Sequence, residues 1–184
     1  MDSLTDRRLH EYMTAAADRK GPTDMTSAVL RYLTGTTAVL SVVTAGALFA
    51  FSSFVMPAFD KLSAGDAIRA MQAINDKAPH SLLMLPLIGG AIGSAIVGVD
   101  ALVRGDGPSK GWLIVGAVLG TGALVITAAY HQPHNLALGR LDPNAHNAAQ
   151  KWREYANGWT AWNTVRTLTG VGSGIALVVG LLKK

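Results

Sequence analysis

The sequence predicts an all-α integral membrane protein: a four-transmembrane-helix bundle with two short amphipathic helices on one membrane face. Three observations carry this. Four stretches hold no formally charged side chain, and each approaches a bilayer span in length: Tyr32–Phe59 (28 residues), Ser81–Val99 (19), Gly111–Tyr130 (20) and Thr167–Leu182 (16). A helix needs about 20 predominantly apolar residues to cross the hydrocarbon core. Composition agrees, with 49% hydrophobic and only 15% charged residues, against about 25% charged in soluble domains. The runs are also unbroken, which excludes the alternating pattern of a membrane barrel.

The first 31 residues read as a polar tail holding Arg7, Arg8, Arg19, Lys20 and Arg31, ahead of a single transmembrane domain over residues 32–184. Arg7-Arg8 lies far from the first apolar run, so the tail reads as neither a signal peptide nor a twin-arginine signal. After the first span, Ala67, Ile68, Met71 and Ile74 recur at helical spacing within Ala64–Asp76 and predict a surface helix. The second and third spans are joined by Arg104–Lys110, a tight turn with Gly105, Gly107 and Pro108. After the third span, Asp142-Pro143 opens a polar helix over Asn144–Tyr155. Gly89/Gly93, Gly116/Gly120 and Gly170/Gly174 each sit four apart, a spacing that lets helices approach closely. Gly46, Ser52 and Ser53 on the first span serve either packing or a pocket. Placing Pro57 on Pro133 aligns FVMPAFDKL with YHQPHNLAL, which suggests an internal duplication of span, surface helix, span.

The fourth run falls short of the usual minimum of about 17 residues. Its span therefore starts near Trp162 or Asn163 and carries Asn163 and Arg166 into the first turn. Either the Arg166 guanidinium snorkels to the headgroups, or it faces the bundle interior and bonds an amide or carboxylate near the end of the third span. The second is the expectation taken forward.

Lysine and arginine counts set the orientation. Nine fall on the side of the termini and six on the opposite side, with Arg166 at the boundary. This predicts an integral plasma-membrane protein with both termini cytoplasmic. No cysteine is present, which removes disulfides, thiolate catalysis and cysteine-ligated metal. The net charge of +4 is spread through the loops, with no basic stripe interleaved with aromatics, so nucleic acid is not an expected partner.

The side opposite the termini collects the unusual residues: Asn75, His80, His131, His134, Asn135, His146, Trp152, Trp159, Trp162, Asn163 and Arg166. An interfacial aromatic belt accounts for the tryptophans. It does not account for the amides, which need hydrogen-bond partners once buried. His131, His134 and His146 are weak candidates for a three-imidazole metal site. Each histidine is equally a candidate general base, since an imidazole accepts a proton near neutral pH.

The stretch Ala70–Asn75 (AMQAIN), the turn His131-Gln-Pro-His-Asn135 and the sequence Trp162-Asn-Thr-Val-Arg166 resemble the anthrone-oxygenase-like family of small four-span membrane proteins. The resemblance covers roughly Gly46–Leu182. One departure is that His131 stands where the family pattern has Asn. The resemblance implies a membrane-embedded oxygenase that uses dioxygen to convert an anthrone, a lipophilic phenolic ketone, to its quinone. That chemistry does not strictly require a flavin or metal. It casts His131 or His134 as base, Asn135, Asn163 and Arg166 as donors to the developing oxyanion, and Asn75, Trp159 and Trp162 as substrate-binding residues. Membrane lipid would be the medium through which an aromatic substrate arrives. The alternative is a non-catalytic membrane module, an accessory subunit or a carrier of a lipophilic molecule, with an oligomer or subunit partner docked on the polar face.

Overall fold

The computed structural model describes residues 22–183. The polar-tail expectation falls mostly outside these residues. Among the described residues there is no strand, and four helices are long and apolar enough to cross a membrane. Only 28–44% of each apolar window is buried within the fold. Side chains such as Val39, Ile88, Ile92, Val118, Leu168 and Ile175 point outward, a disposition suited to lipid rather than to water.

Helix α1 (Pro22–Ala50) continues through a π-helical turn, Phe51–Val55, into the short α2 (Met56–Phe59). Helix α3 (Ala64–Lys77) follows; its cap is Ser63, whose hydroxyl accepts from the Asp66 N–H at 3.2 Å. A single 3₁₀ turn (Ala78–His80) leads to α4 (Met84–Val103), and the tight turn, with Gly107 at φ +60°, leads to α5 (Ser109–Ile126). Then comes a second π-helical turn, Thr127–His131, running into α6 (Gln132–Gly139), and finally α7 (Ala148–Leu182).

The glycine pairs lie at helix contacts. A Cβ on Gly170 would sit 2.9 Å from the Ala45 Cβ and 3.1 Å from the Ser41 carbonyl oxygen, so α1 and α7 meet almost backbone to backbone. Gly116 faces Leu177, at 2.7 Å by the same measure. Gly46, by contrast, is exposed with nothing within 4 Å, while Ser52 bonds Asn163 and Thr164.

The expected helix over Asn144–Tyr155 needs a corrected boundary. It is the N-terminal part of α7, which starts at Ala148 and runs unbroken into the fourth span. Trp152, Tyr155, Ala156 and Trp159 continue one buried stripe at helical spacing, and no proline interrupts it. Helix α6 continues α5 through the π-helical turn as one run, Ser109–Gly139. Helix α3 presses Ala67, Ile68 and Met71, all fully buried, onto a cluster with Met56, Leu138, Trp152 and Tyr155. Gln72 completes the dock by donating to the Leu138 and Leu141 carbonyls at 2.9 and 3.0 Å.

Candidate functional site

Beneath α3 and its following turn lies a cavity of about 870 Å³, large enough for a fused-ring molecule. Leu48, Phe51, Met84, Leu87 and Trp159 supply apolar walls, and Thr44, Asn75, Thr127, His131, Asn135 and Arg166 supply polar groups. The two π-helical turns shape it. Each shifts the helical register by one residue, a device common at functional sites. The first turn contributes Phe51, and the second contributes Thr127 and His131.

Arg166 points inward and is only 5% exposed. Its Nη2 donates to Asn163 Oδ1 at 2.6 Å, and its Nη1 to Thr127 Oγ1 at 2.9 Å. Both partners are themselves anchored. Asn163 Nδ2 donates to the Leu48 carbonyl at 2.7 Å and to Ser52 Oγ at 2.8 Å; Thr127 Oγ1 donates to the Ala123 carbonyl at 2.7 Å. The guanidinium is thus tied to the first and third spans, and its carbon lies 5.9 Å from the Trp159 ring centroid. No ion pair among the described residues includes it.

His131 is 1% exposed, packed edge-on against Trp159 at 5.2 Å and Tyr130 at 5.5 Å. Neither ring nitrogen has a hydrogen-bond partner; an interaction with the Trp162 backbone falls outside bonding geometry. Trp159 Nε1, Thr44 Oγ1 and Arg166 Nε are likewise buried without partners. Buried polar atoms are ordinarily satisfied, so four such residues on one cavity mark where a bound molecule would supply the missing bonds.

Nearby, Tyr155 donates to Asn135 Oδ1 at 2.8 Å and accepts from Asn75 Nδ2 at 3.3 Å. This fixes Asn135 with its oxygen occupied, so its N–H groups remain for the cavity. Of the residues singled out from sequence, Asn75, His80, His131, Asn135, Trp159 and Arg166 line the cavity, and Asn163 stands behind Arg166. His134, Trp162 and His146 do not line it. His134 turns outward, stacked on Tyr130 at 4.0 Å with its Nδ1 bonded to the Tyr130 carbonyl at 2.7 Å. Trp162 packs against Tyr130, with ring centroids 5.2 Å apart.

 Its indole is partly exposed. His146 lies in the exposed loop before α7, so the three histidines do not converge, and among the described residues no group of three His, Cys, Asp or Glu side chains is arranged to hold a metal.

Sequence reasoning missed Thr44, Gln72, Thr127 and Tyr155. Tyr155 was detectable, because it extends the Trp152–Trp159 stripe toward Asn135. Thr44 and Thr127 look like ordinary span residues, and only the π-helical turns give Thr127 its place.

Fold and site together define a four-span helical membrane protein with a buried, cation-floored cavity under a surface helix. The anthrone oxygenase family model matches residues 71–176, more than half of the chain and every polar cavity residue named above but Thr44; the chain belongs to that family. No curated protein and no solved structure matches it.

Proposed function

We propose that this protein is a membrane-embedded oxygenase that uses dioxygen to oxidise a lipophilic phenolic ketone of the anthrone type. The observation that carries the proposal is His131, buried on the cavity wall with both ring nitrogens unpartnered. An imidazole in that state can accept a proton from a bound molecule.

The balanced reaction is anthrone plus dioxygen giving anthraquinone plus water. His131 takes a proton from the carbon opposite the ketone, and the electron pair left behind delocalises onto the ketone oxygen. Arg166, held by Asn163 and Thr127, together with Asn135, stabilises that oxyanion. The anion passes one electron to dioxygen, and the resulting radical and superoxide combine to form the carbon–oxygen bond. The peroxide takes the proton back from the imidazolium. Loss of the second hydrogen as a proton and cleavage of the O–O bond then release water and leave the quinone carbonyl. Trp159 and Phe51 would flank the flat ring system, with Asn75 acting through Tyr155 to hold Asn135. His134 has no part in this scheme because it faces away from the cavity.

An apolar substrate would reach the site through the bilayer. The proposed setting is the plasma membrane with both termini cytoplasmic, supported by the lysine and arginine bias of the loops. The test is dioxygen consumption by purified protein with a set of anthrones and hydroquinones. His131→Ala should lower the rate by about 10²–10⁴, the usual value of a general base, and His134→Ala should leave it near wild type. The wild-type rate should also fall on acidification as the base protonates. If wild type consumes no dioxygen with any of these substrates, the carrier or accessory-subunit alternative replaces the oxygenase.

A further inference from the structure

The floor of the cavity carries a charge that no carboxylate among the described residues neutralises. Arg166 is buried, and a guanidinium stays protonated in proteins. The four ion pairs among the described residues use Asp66, Asp76, Asp100 and Glu154, and none reaches it. An uncompensated buried charge is costly, and the transient oxyanion of a turnover would relieve it only briefly. Two of the unpartnered atoms on this cavity are donors alone. Trp159 Nε1 and Arg166 Nε can only donate, so whatever satisfies them must accept.

The mouth has the same sign. Arg140 lines it and is exposed. The single carboxylate there, Asp76, is taken up by Lys77 at 3.0 Å. The cavity therefore runs from a cationic rim to a cationic floor between apolar walls.

We propose that the resident ligand binds as an anion: a flat aromatic molecule bearing an ionised oxygen acid, seated against Arg166 and Trp159. This deepens the oxygenase reading, on which the choice of ring system rests, but it requires no turnover. Two acids share this chemistry, a carboxylate and an ionised phenol.

The experiment is equilibrium binding to the full chain in lipid nanodiscs, with empty nanodiscs subtracted, using quinones that cannot be oxidised at the reacting carbon. One matched pair is anthraquinone-2-carboxylate and its carboxamide. The other is 2-hydroxyanthraquinone, measured above its ionisation, and its methyl ether. At least one acid should bind about tenfold more tightly than its neutral partner, the scale of a charge-assisted hydrogen bond, and the pair that does so identifies the acid. Arg166→Gln should erase the preference and leave neutral binding within about twofold, a loss confined to the charged contact. Should Arg166→Gln not fold, Arg166→Lys must keep a preference for the acid. Arg140→Gln should slow association of the acid, by a factor that shrinks with added salt.

Equal binding within both pairs overturns the inference. So does absence of binding by all four probes, or an Arg166→Gln variant that weakens charged and neutral probes alike. The two proposals fail separately. Oxygen consumption without a charge preference removes only the anionic ligand, and a charge preference without oxygen consumption removes only the oxygenase.

Discussion

Replacing Asn163 with leucine keeps the branched four-heavy-atom side chain and removes both ends of a bridge. The Leu48 carbonyl loses its donor and Arg166 Nη2 loses its acceptor. Each unsatisfied buried group costs about 1–3 kcal/mol, so Asn163→Leu should lower the thermal unfolding temperature in detergent, whereas Trp162→Leu, at a partly exposed position, should shift it much less. Equal shifts would show that the bridge contributes nothing. The inward Arg166 was legible in sequence because a 16-residue run cannot span alone, and the guanidinium had to approach the hydrocarbon. The choice between His131 and His134 was legible only in part: His131 directly ends the 20-residue charge-free run and so lies nearest the hydrocarbon. The two histidines lie three positions apart, and their opposite directions follow from the π-helical turn, whose sequence carries no distinctive composition.

At the level of elements, α3 is the lid of the cavity, and two residues fix its seat. A Cβ on Gly65 would lie 2.8 Å from the Pro143 carbonyl oxygen, a backbone atom that cannot step aside. Gly65→Ala should therefore lift the start of α3 and speed hydrogen exchange there, despite alanine's better helix propensity of about 0.5–1 kcal/mol. Gly46→Ala, with open space around it, is the matched control and should not destabilise; loss of stability there would contradict the outward placement. The Ser63 hydroxyl and the Arg69 guanidinium hold the Asp66 carboxyl below its usual range. A depressed carboxyl stabilises the fold above its unfolded pKa and loses that contribution as pH falls through the folded one. Protection from exchange at the start of α3, taken against the intrinsic rate at each pH, should thus fall in acid, and Asp66→Asn should show the lower protection already at neutral pH. Helix α3 was readable because Ala67, Ile68 and Met71 repeat at helical spacing. The fusion of Asn144–Tyr155 with the fourth span was not, since its polar face hid a buried stripe that no breaker ends.

Across the whole molecule, the four spans were plain from the charge-free runs, while the cavity was not, because it needs side chains from separate helices to meet. The aligned prolines, Pro57 and Pro133, each follow a π-helical turn, Phe51–Val55 and Thr127–His131, at one constant offset in sequence. If the halves are true structural equivalents, separate polypeptides cut within the turn between α4 and α5 should assemble when coexpressed, and tagged capture of one half should retain the other. Failure to associate would mean that the covalent link is essential. Such an equivalence would also account for the site's lopsidedness. By the same offset Val55 answers to His131, Phe51 to Thr127 and Gly90 to Arg166. A symmetric pair made from one sequence must repeat every side chain on both sides of its axis. Joined in tandem, the two copies are free to diverge, so one can keep an oily wall while the other acquires the base and the cation.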